Sequence, residues 1–457
     1  MNAREHALSR QEDQAAPVDA GPQRQPIASW GRLSNDPHTV APLRDRTALR
    51  LSLTGPADKG LAYGNGRSYG DVCLNPEGTL WTMRGLDRFI AFDVQSGVIE
   101  CEAGVLLKEI VEVALPHGFF LPVTPGTQFV TIGGGLANDV HGKNHHRAGT
   151  LGEHVESLVL QRTDGRRIVC GPAQEPDWFA STIGGMGLTG VIVSVRLRLK
   201  KVPGPWIDAE TVTFGSLDEF FALSADSEAG WEHTVAWIDC VGGRNGMGRG
   251  VFFRGNNAPS DRPVRVARPR TVPLTPPVSL INGLSLRLFN AAYFRANSVR
   301  QGRKLTHYVP FFYPLDNLLE WNRIYGPRGF FQYQSVVPRA VERDATRELL
   351  AAIGASGTGS FLAVLKTFGD RKAPGLLSFP MAGTTLALDF PNLGERTLRL
   401  FDRLNAIVRE AGGRLYPAKD ACMPRELFES GYPHLQQFLP FRDPGISSAM
   451  SRRLLGS

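Results

Sequence analysis

At 457 residues, with 42% hydrophobic and 21% charged residues, the chain is too long for one ordinary domain and apolar enough to bury a core in two or three. Its 50 glycines and 32 prolines are spread along the chain, which argues for many turns between short elements and against a low-complexity protein. The formal net charge of +7 is moderate, and no module interleaves basic and aromatic residues, so no nucleic-acid partner is expected.

Residues 1–26 are polar and proline-bearing, with no apolar h-region, and read as a disordered tail rather than a Sec-type signal. From 27 to 203, short β-rich runs (GVIECEAG, ESLVLQRTDG, GVIVSVRLRLK) alternate with glycine turns, and LLKEIVEVALPHG has the spacing of a helix ended by glycine. From 204 to 410 the elements lengthen. VERDATRELLAAIGASG and ERTLRLFDRLNAIVREAGG read as helices with glycine stops, FLAVLKTFG and TTLALDFPN as buried strands. Residues 411–457 form a compact tail ending in a basic helix, SSAMSRRLLGS. No apolar run approaches the ~18–20 residues that span a bilayer.

One stretch stands apart. Between Gly255 and Lys304, nine cations (Arg262, Arg265, Arg268, Arg270, Arg287, Arg295, Arg300, Arg303, Lys304) face one acid, Asp261, and apolar residues interleave with them. It reads either as a solvated, partly disordered insertion or as a mobile basic-apolar flap on an anionic membrane surface. The five cysteines, Cys73, Cys101, Cys170, Cys240 and Cys422, are odd in number and lack CxxC spacing, which fits a reducing, cytoplasmic compartment. His141, His145 and His146 lack a nearby carboxylate and sit among glycines, so no metal is expected.

Three glycine-rich segments carry the main signal. The first, GNGRSYGD, supplies Gly64, Asn65, Gly66, Arg67, Ser68, Tyr69, Gly70 and Asp71. The second, TPGTQFVTIGGGLANDVHGKNHHRAGTLGEHV, supplies Pro125, Gly126, Thr127, Gly133, Gly134, Ala137, Asn138, His141, Gly142 and Asn144. The third, TIGGMGLTGVI, supplies Gly187, Gly190 and Ile192. Closely spaced glycines let backbone approach a phosphate. None ends in the GK[ST] of a Walker loop, and none sits in a short βαβ unit as a Rossmann fingerprint would.

Together these segments resemble the FAD-binding domain of the vanillyl-alcohol oxidase and para-cresol methylhydroxylase superfamily. Within it, GNGRSYGD, DVHGKNHHRAGTLGEHV, EWNRIYGPRGFFQYQ, GGRLYPAKD and AMSRRL resemble the decaprenylphosphoryl-β-D-ribose 2′-oxidase family, from about residue 27 to the C-terminus. The resemblance implies an α+β fold. FAD lies between two subdomains in residues 27–203, a substrate domain (204–410) covers the flavin with a large antiparallel sheet, and residues 411–457 return to the flavin. It also implies oxidation of the ribose 2′-hydroxyl of a polyprenyl-phosphate sugar at the inner face of the membrane. A partner NAD(P)H-dependent keto-reductase then completes epimerisation to an arabinose donor for cell-envelope glycan. The alternatives are an aldonolactone or alditol oxidase acting on a small soluble sugar, and a flavin-free scaffold, which Lys419, His141 and the intact glycine loops oppose.

The resemblance also implies residue roles. Arg67 stands where many superfamily members carry a histidine bonded to the flavin 8α-methyl, so FAD is expected to be non-covalent. His141 is a flavin neighbour and Lys143 a phosphate contact. Lys419, in YPAKD, is the leading catalytic candidate, either as a fixed cation opposite reduced flavin or as a base for the substrate hydroxyl. Its plain alternative is an ion pair with Asp420. Tyr416 contacts flavin or packs. Gln332, Gln334 and Lys366 bind substrate, with Trp237, Phe312 and Phe368 as apolar walls. Gln332 and Gln334 alternate on a strand and so share a face. At Thr385 and Ala387 the sequence departs from the family, whose best-known members carry asparagine and cysteine there. Cys422 is the thiol nearest the catalytic tail; it reads as a small hydrophobe, and no thiol requirement is expected.

Overall fold

The computed structural model describes residues 22–47, 49, 51, 58–241, 248–264 and 268–456; residues 1–21 of the expected tail lie outside the described residues. That tail was expected to run to residue 26, but the strand Gln23–Pro26 pairs antiparallel with Pro37–Pro42. Main-chain hydrogen bonds do not need the apolar side chains whose absence made it read as disordered.

Two sheets build the N-terminal half. In the first, Pro37–Pro42, Thr79–Thr82 and Gly60–Tyr63 run parallel, with Gln23–Pro26 at the edge. The second is antiparallel, in the order Phe89–Asp93, Val98–Glu102, Val191–Arg198, Val155–Gln161, Arg167–Cys170. The helix Leu107–Ala114 buries Leu107, Ile110, Val111 and Ala114, the one face that three- and four-residue spacing creates. Glu109 accepts from the Leu106 N–H at 2.7 Å, and Gly118, at φ +80°, ends the turn that follows.

The rest of the chain is organised by an eight-stranded antiparallel sheet. Its order is Gly302–His307, Trp206–Phe214, Gly250–Ala258, His233–Ile238, Ala363–Phe368, Gly383–Pro391, Phe330–Pro338, Arg414–Leu415. The register sets its functional face. Lys366 lies opposite Thr385, Val364 and Gln334 opposite Ala387, and Gln332 opposite Asp389. With a two-residue repeat, all of these side chains leave the sheet on one side. The helices Glu342–Ser356 and Glu395–Glu410 pack on the other, where Phe401 meets Phe331 and Tyr333.

Two expected boundaries change. The basic insertion over 255–304 is overlapped at both ends by sheet strands, Gly250–Ala258 and Gly302–His307. Between them Gly283–Val299 is a helix seated through buried Leu286 and Asn290, not a free flap. Arg303 pairs with Asp208, and Arg265 lies outside the described residues. The C-terminal segment expected from 411 first contributes the strand Arg414–Leu415 to the large sheet. It then returns to the N-terminal half, where the Gly60 N–H donates to Gly445 O at 2.9 Å. Among the described residues no helix is long and apolar enough to cross a membrane.

Candidate active site

The glycine segments converge because glycine alone allows it. A Cβ at Gly64 would lie 2.4 Å from Thr131 Oγ1, and one at Gly133 would lie 2.8 Å from Ala103 Cβ. Asn65 Nδ2 donates to Phe129 O at 2.8 Å, tying the first segment to the second. The N–H groups of Gly133 and Gly134 are themselves engaged, by Ala103 O at 2.9 Å and Thr131 Oγ1 at 3.2 Å. Those two glycines therefore serve close packing of the wall rather than donation into the space it encloses.

That wall forms one side of a cavity of about 410 Å³ whose other side is the functional face of the eight-stranded sheet. The cavity is lined by Gly64, Asn65, Gly66, Arg67, Ser68 and Tyr69 from the first segment, and by Pro125, Gly126, Thr127, Gly133, Gly134, Ala137 and Asn138 from the second. His141, Gly142 and Lys143 follow, then Gly187, Gly190 and Ile192 of the third. Gln332, Gln334, Lys366, Thr385, Ala387, Trp237 and Phe312 face them from the substrate half, and Tyr416 and Lys419 close the end.

Four expected site residues stand off the cavity. Asp71 is held by Arg453, 2.9 Å from Oδ1, and Gly70 is pressed against the backbone of Asp420, where a Cβ would come within 1.6 Å. Asn144 donates to Pro122 O at 2.8 Å. Phe368 packs behind the His141 ring, centroids 4.9 Å apart, so it supports the wall instead of forming it. The thiol nearest the site also changes. Cys73 lines the cavity and Cys422 does not; burial pushes the Cys73 thiol up to about 12.

The polar centre is a short network. Lys366 Nζ lies 3.2 Å from His141 Nδ1, and Gln334 Nε2 lies 3.1 Å from His141 Nε2 and 3.3 Å from Thr385 Oγ1. Burial lowers Lys366 to about 7, helped by the charges of Lys143 and Lys419. It lowers Lys143 to about 7, and Lys143 donates to Phe311 O. Burial, then Lys366, holds His141 well below the usual imidazole range, so its ring is neutral.

Lys419 does not pair with Asp420, whose carboxylate Oδ2 accepts from Arg453 at 2.9 Å. Its Nζ sits 4.0 Å from the centre of the Tyr69 ring, and burial lowers it to about 8 against the opposing pull of Asp389. Asp389 was not anticipated. It accepts from Gln332 Nε2 at 2.6 Å, and burial raises its carboxyl to about 7. Its signal was present: Thr385, Ala387 and Asp389 continue one alternation. Trp30, which stacks on Arg67 at 4.4 Å and lines the cavity, had no such signal. No group of His, Cys, Asp and Glu suited to a metal occurs among the described residues.

These residues fit a flavin dinucleotide. A Cβ on Gly126 would meet no protein atom within 4 Å, so this stretch of wall offers bare backbone to whatever fills the cavity. Asn138 lines the same wall, and its buried Oδ1 has no hydrogen-bond partner.

Residues 58–171 match a family described as an FAD binding domain. Fold and site thus define an FAD-dependent oxidoreductase with the two-part α+β architecture of the vanillyl-alcohol oxidase and para-cresol methylhydroxylase superfamily. The chain is 36% identical over 451 residues to Decaprenylphosphoryl-beta-D-ribose oxidase of Mycolicibacterium smegmatis, covering 94% of this chain and 97% of that protein. It belongs to the decaprenylphosphoryl-β-D-ribose oxidase family. It is also 30% identical over 372 residues to an uncharacterized protein in the mprA 5′ region of Streptomyces coelicolor, covering 77% of this chain and 100% of that one. To L-gulonolactone oxidase of Mus musculus it is 28% identical over 164 residues, 35% of this chain and 36% of that protein.

Proposed function

We propose that the chain oxidises the 2′-hydroxyl of a polyprenylphosphoryl-β-D-ribose to the 2′-keto sugar, using non-covalently held FAD. The observation that carries this reading is a single cavity in which the glycine wall and the lysines open onto an apolar arm of Trp237, Phe253, Tyr293, Phe312, Leu318 and Leu362. A prenyl chain gains from burial along such an arm, whereas a free sugar has no apolar surface to bury there. The likeness to L-gulonolactone oxidase spans only about a third of the chain, which weighs against a small-sugar oxidase.

The first glycine segment, Pro125–Thr127, the stretch around Asn138 and Tyr416 would hold the dinucleotide, and Arg67 offers no imidazole for a covalent link. Bound FAD supplies the hydride acceptor. Lys419 keeps an ammonium charge at Nζ up to about pH 8 and, beside a bound flavin, would stabilise the negative charge that reduction brings. Lys366, titrating at about 7, can take the hydroxyl proton at Nζ. With Gln334 Nε2 donating to His141 Nε2, the neutral imidazole carries its proton on Nδ1 and donates it to the Lys366 amine, which holds Lys366 in its base form. An ammonium at Lys366 requires the other tautomer, with the Gln334 amide turned to present Oε1 to Nε2–H. Thr385 Oγ1 and Gln334 are placed to orient the sugar.

The resulting ketone suits an NAD(P)H-dependent keto-reductase, which would complete the epimerisation to an arabinose donor. A lipid-borne substrate also requires access to a membrane, and the exposed basic-apolar helix Gly283–Val299 borders the cavity through Tyr293. The deciding experiment is anaerobic mixing with polyprenylphosphoryl ribose and, separately, with free sugars. Flavin bleaching by the lipid-linked ribose alone is expected; bleaching by free sugars alone would overturn the assignment.

A further inference from the structure

Arg453, on the C-terminal helix Ala449–Leu455, is far from the cavity in sequence and does not line it. Its guanidinium nevertheless meets both segments that place Lys419. Nε and Nη2 donate to the two oxygens of Asp71, the last residue of the first glycine segment, at 3.0 and 2.9 Å. Nη2 also donates to Asp420 Oδ2 at 2.9 Å, directly after Lys419, and Nη1 to Met423 O at 2.6 Å. The other Asp420 oxygen is occupied by the N–H groups of Cys422 and Met423 at 3.1 and 2.8 Å. The two segments touch along their backbones as well. The Tyr69 N–H donates to Ala418 O at 3.2 Å, and only a glycine at position 70 can lie so close to Asp420 O.

We propose that Arg453 is a positioning residue for Lys419: its fork clamps the first glycine segment and the Lys419 turn into one unit, so that the ammonium stays over Tyr69 at the cofactor end of the cavity. Without the fork, Asp71 and Asp420 are two carboxylates facing each other across the junction, with like charge driving the segments apart. The neighbouring Arg452 does something different. It donates to Asn75 Oδ1 at 2.6 Å and to Ser447 Oγ at 3.1 Å, and hydrogen-bonds to neither segment.

The proposal rests on the reading that Lys419 acts at the cofactor, and it can be tested without any sugar substrate. Sulfite adds reversibly to oxidised flavin, and its affinity rises with fixed positive charge beside the ring. In Arg453→Met holoenzyme, amide hydrogen exchange should speed up roughly fivefold in both 64–71 and 416–423, and sulfite affinity should fall roughly tenfold. Arg453→Lys keeps a charge but not the fork, so it should fall between. Arg452→Met should match the wild type in both readouts. Faster exchange confined to 449–455, or unchanged sulfite affinity, overturns the clamp. If Arg453→Met does not fold, Arg453→Lys carries the same two measurements. Should the flavin fail to be bleached by polyprenylphosphoryl ribose while sulfite affinity still follows Arg453, the substrate assignment falls and the clamp stands.

Discussion

Lys419 and Lys366 are two buried lysines with different neighbours, and under the proposed reaction that difference divides their work. Lys419 has Asp389 to favour its charge and titrates at about 8; Lys366 has only like charges nearby and titrates at about 7. A base must be deprotonated and a charge stabiliser protonated, so flavin reduction should rise as pH passes about 7 and fall beyond about 8. Stopped-flow reduction from about pH 5.5 to about pH 9.5 would show this bell. Lys366→Met should erase the rising limb; a limb that survives would move the base elsewhere. Lys419→Ala should retain FAD yet slow reduction by roughly 10²-fold, and a wild-type rate would remove Lys419 from the chemistry. Acid precipitation should leave the yellow colour in the supernatant, since Arg67 cannot form the histidyl link; flavin retained in the pellet would contradict this. Lys419, His141 and Arg67 were legible because each sits inside a long motif. Trp30 was not, since no local period links it to Arg67. Arg453 sits in the quoted AMSRRL, but its partners Asp71 and Asp420 lie 382 and 33 residues away, so its contacts were not readable.

The glycine segments divide into those that pack against protein and those that face the cavity, and the two should fail differently. Gly70→Ala forces a Cβ to within 1.6 Å of Asp420 O, so the two segments must part. A stability loss of about 1–3 kcal/mol is expected, read by urea unfolding of the apoprotein. Gly126→Ala meets no protein atom within 4 Å and should leave unfolding unchanged to within ~0.5 kcal/mol while weakening FAD binding. Equal stability losses in both variants would show that Gly126 is a packing glycine. Helices such as Leu107–Ala114 and Glu342–Ser356 were readable from apolar spacing closed by glycine. The basic stretch was misjudged at its ends for a physical reason. Gly302–His307 is an edge strand exposed at Arg303 and Lys304, so both can be charged, and composition hides the ladder it forms with Trp206–Phe214.

At the scale of the molecule, charge and apolar exposure coincide on one face. Leu284 and Leu288 of the helix Gly283–Val299 are 69% and 64% exposed, with Arg287 and Arg295 on the same side by helical spacing. Leu274, Val278 and Leu280 continue the exposed apolar surface before the helix. The inner side of the same helix presents Tyr293 to the cavity, against Trp237. A surface that attracts anionic headgroups would therefore sit beside the apolar arm proposed to receive a prenyl chain. Each cation near such a surface contributes about 1 kcal/mol and is screened beyond roughly 10 Å at 0.1 M salt. The protein should sediment with vesicles containing anionic lipid, less with neutral ones, and less again as salt rises. Leu284→Glu combined with Leu288→Glu places two carboxylates on the face without touching buried Leu286 or Asn290, so folding and FAD content should be unchanged. Vesicle binding should then drop, and reduction by vesicle-borne substrate should slow while reduction by a short-chain, water-soluble prenyl analogue keeps its rate. If the double variant turns over both substrates like the wild type, lipid reaches the cavity by another route and this face has no part in it.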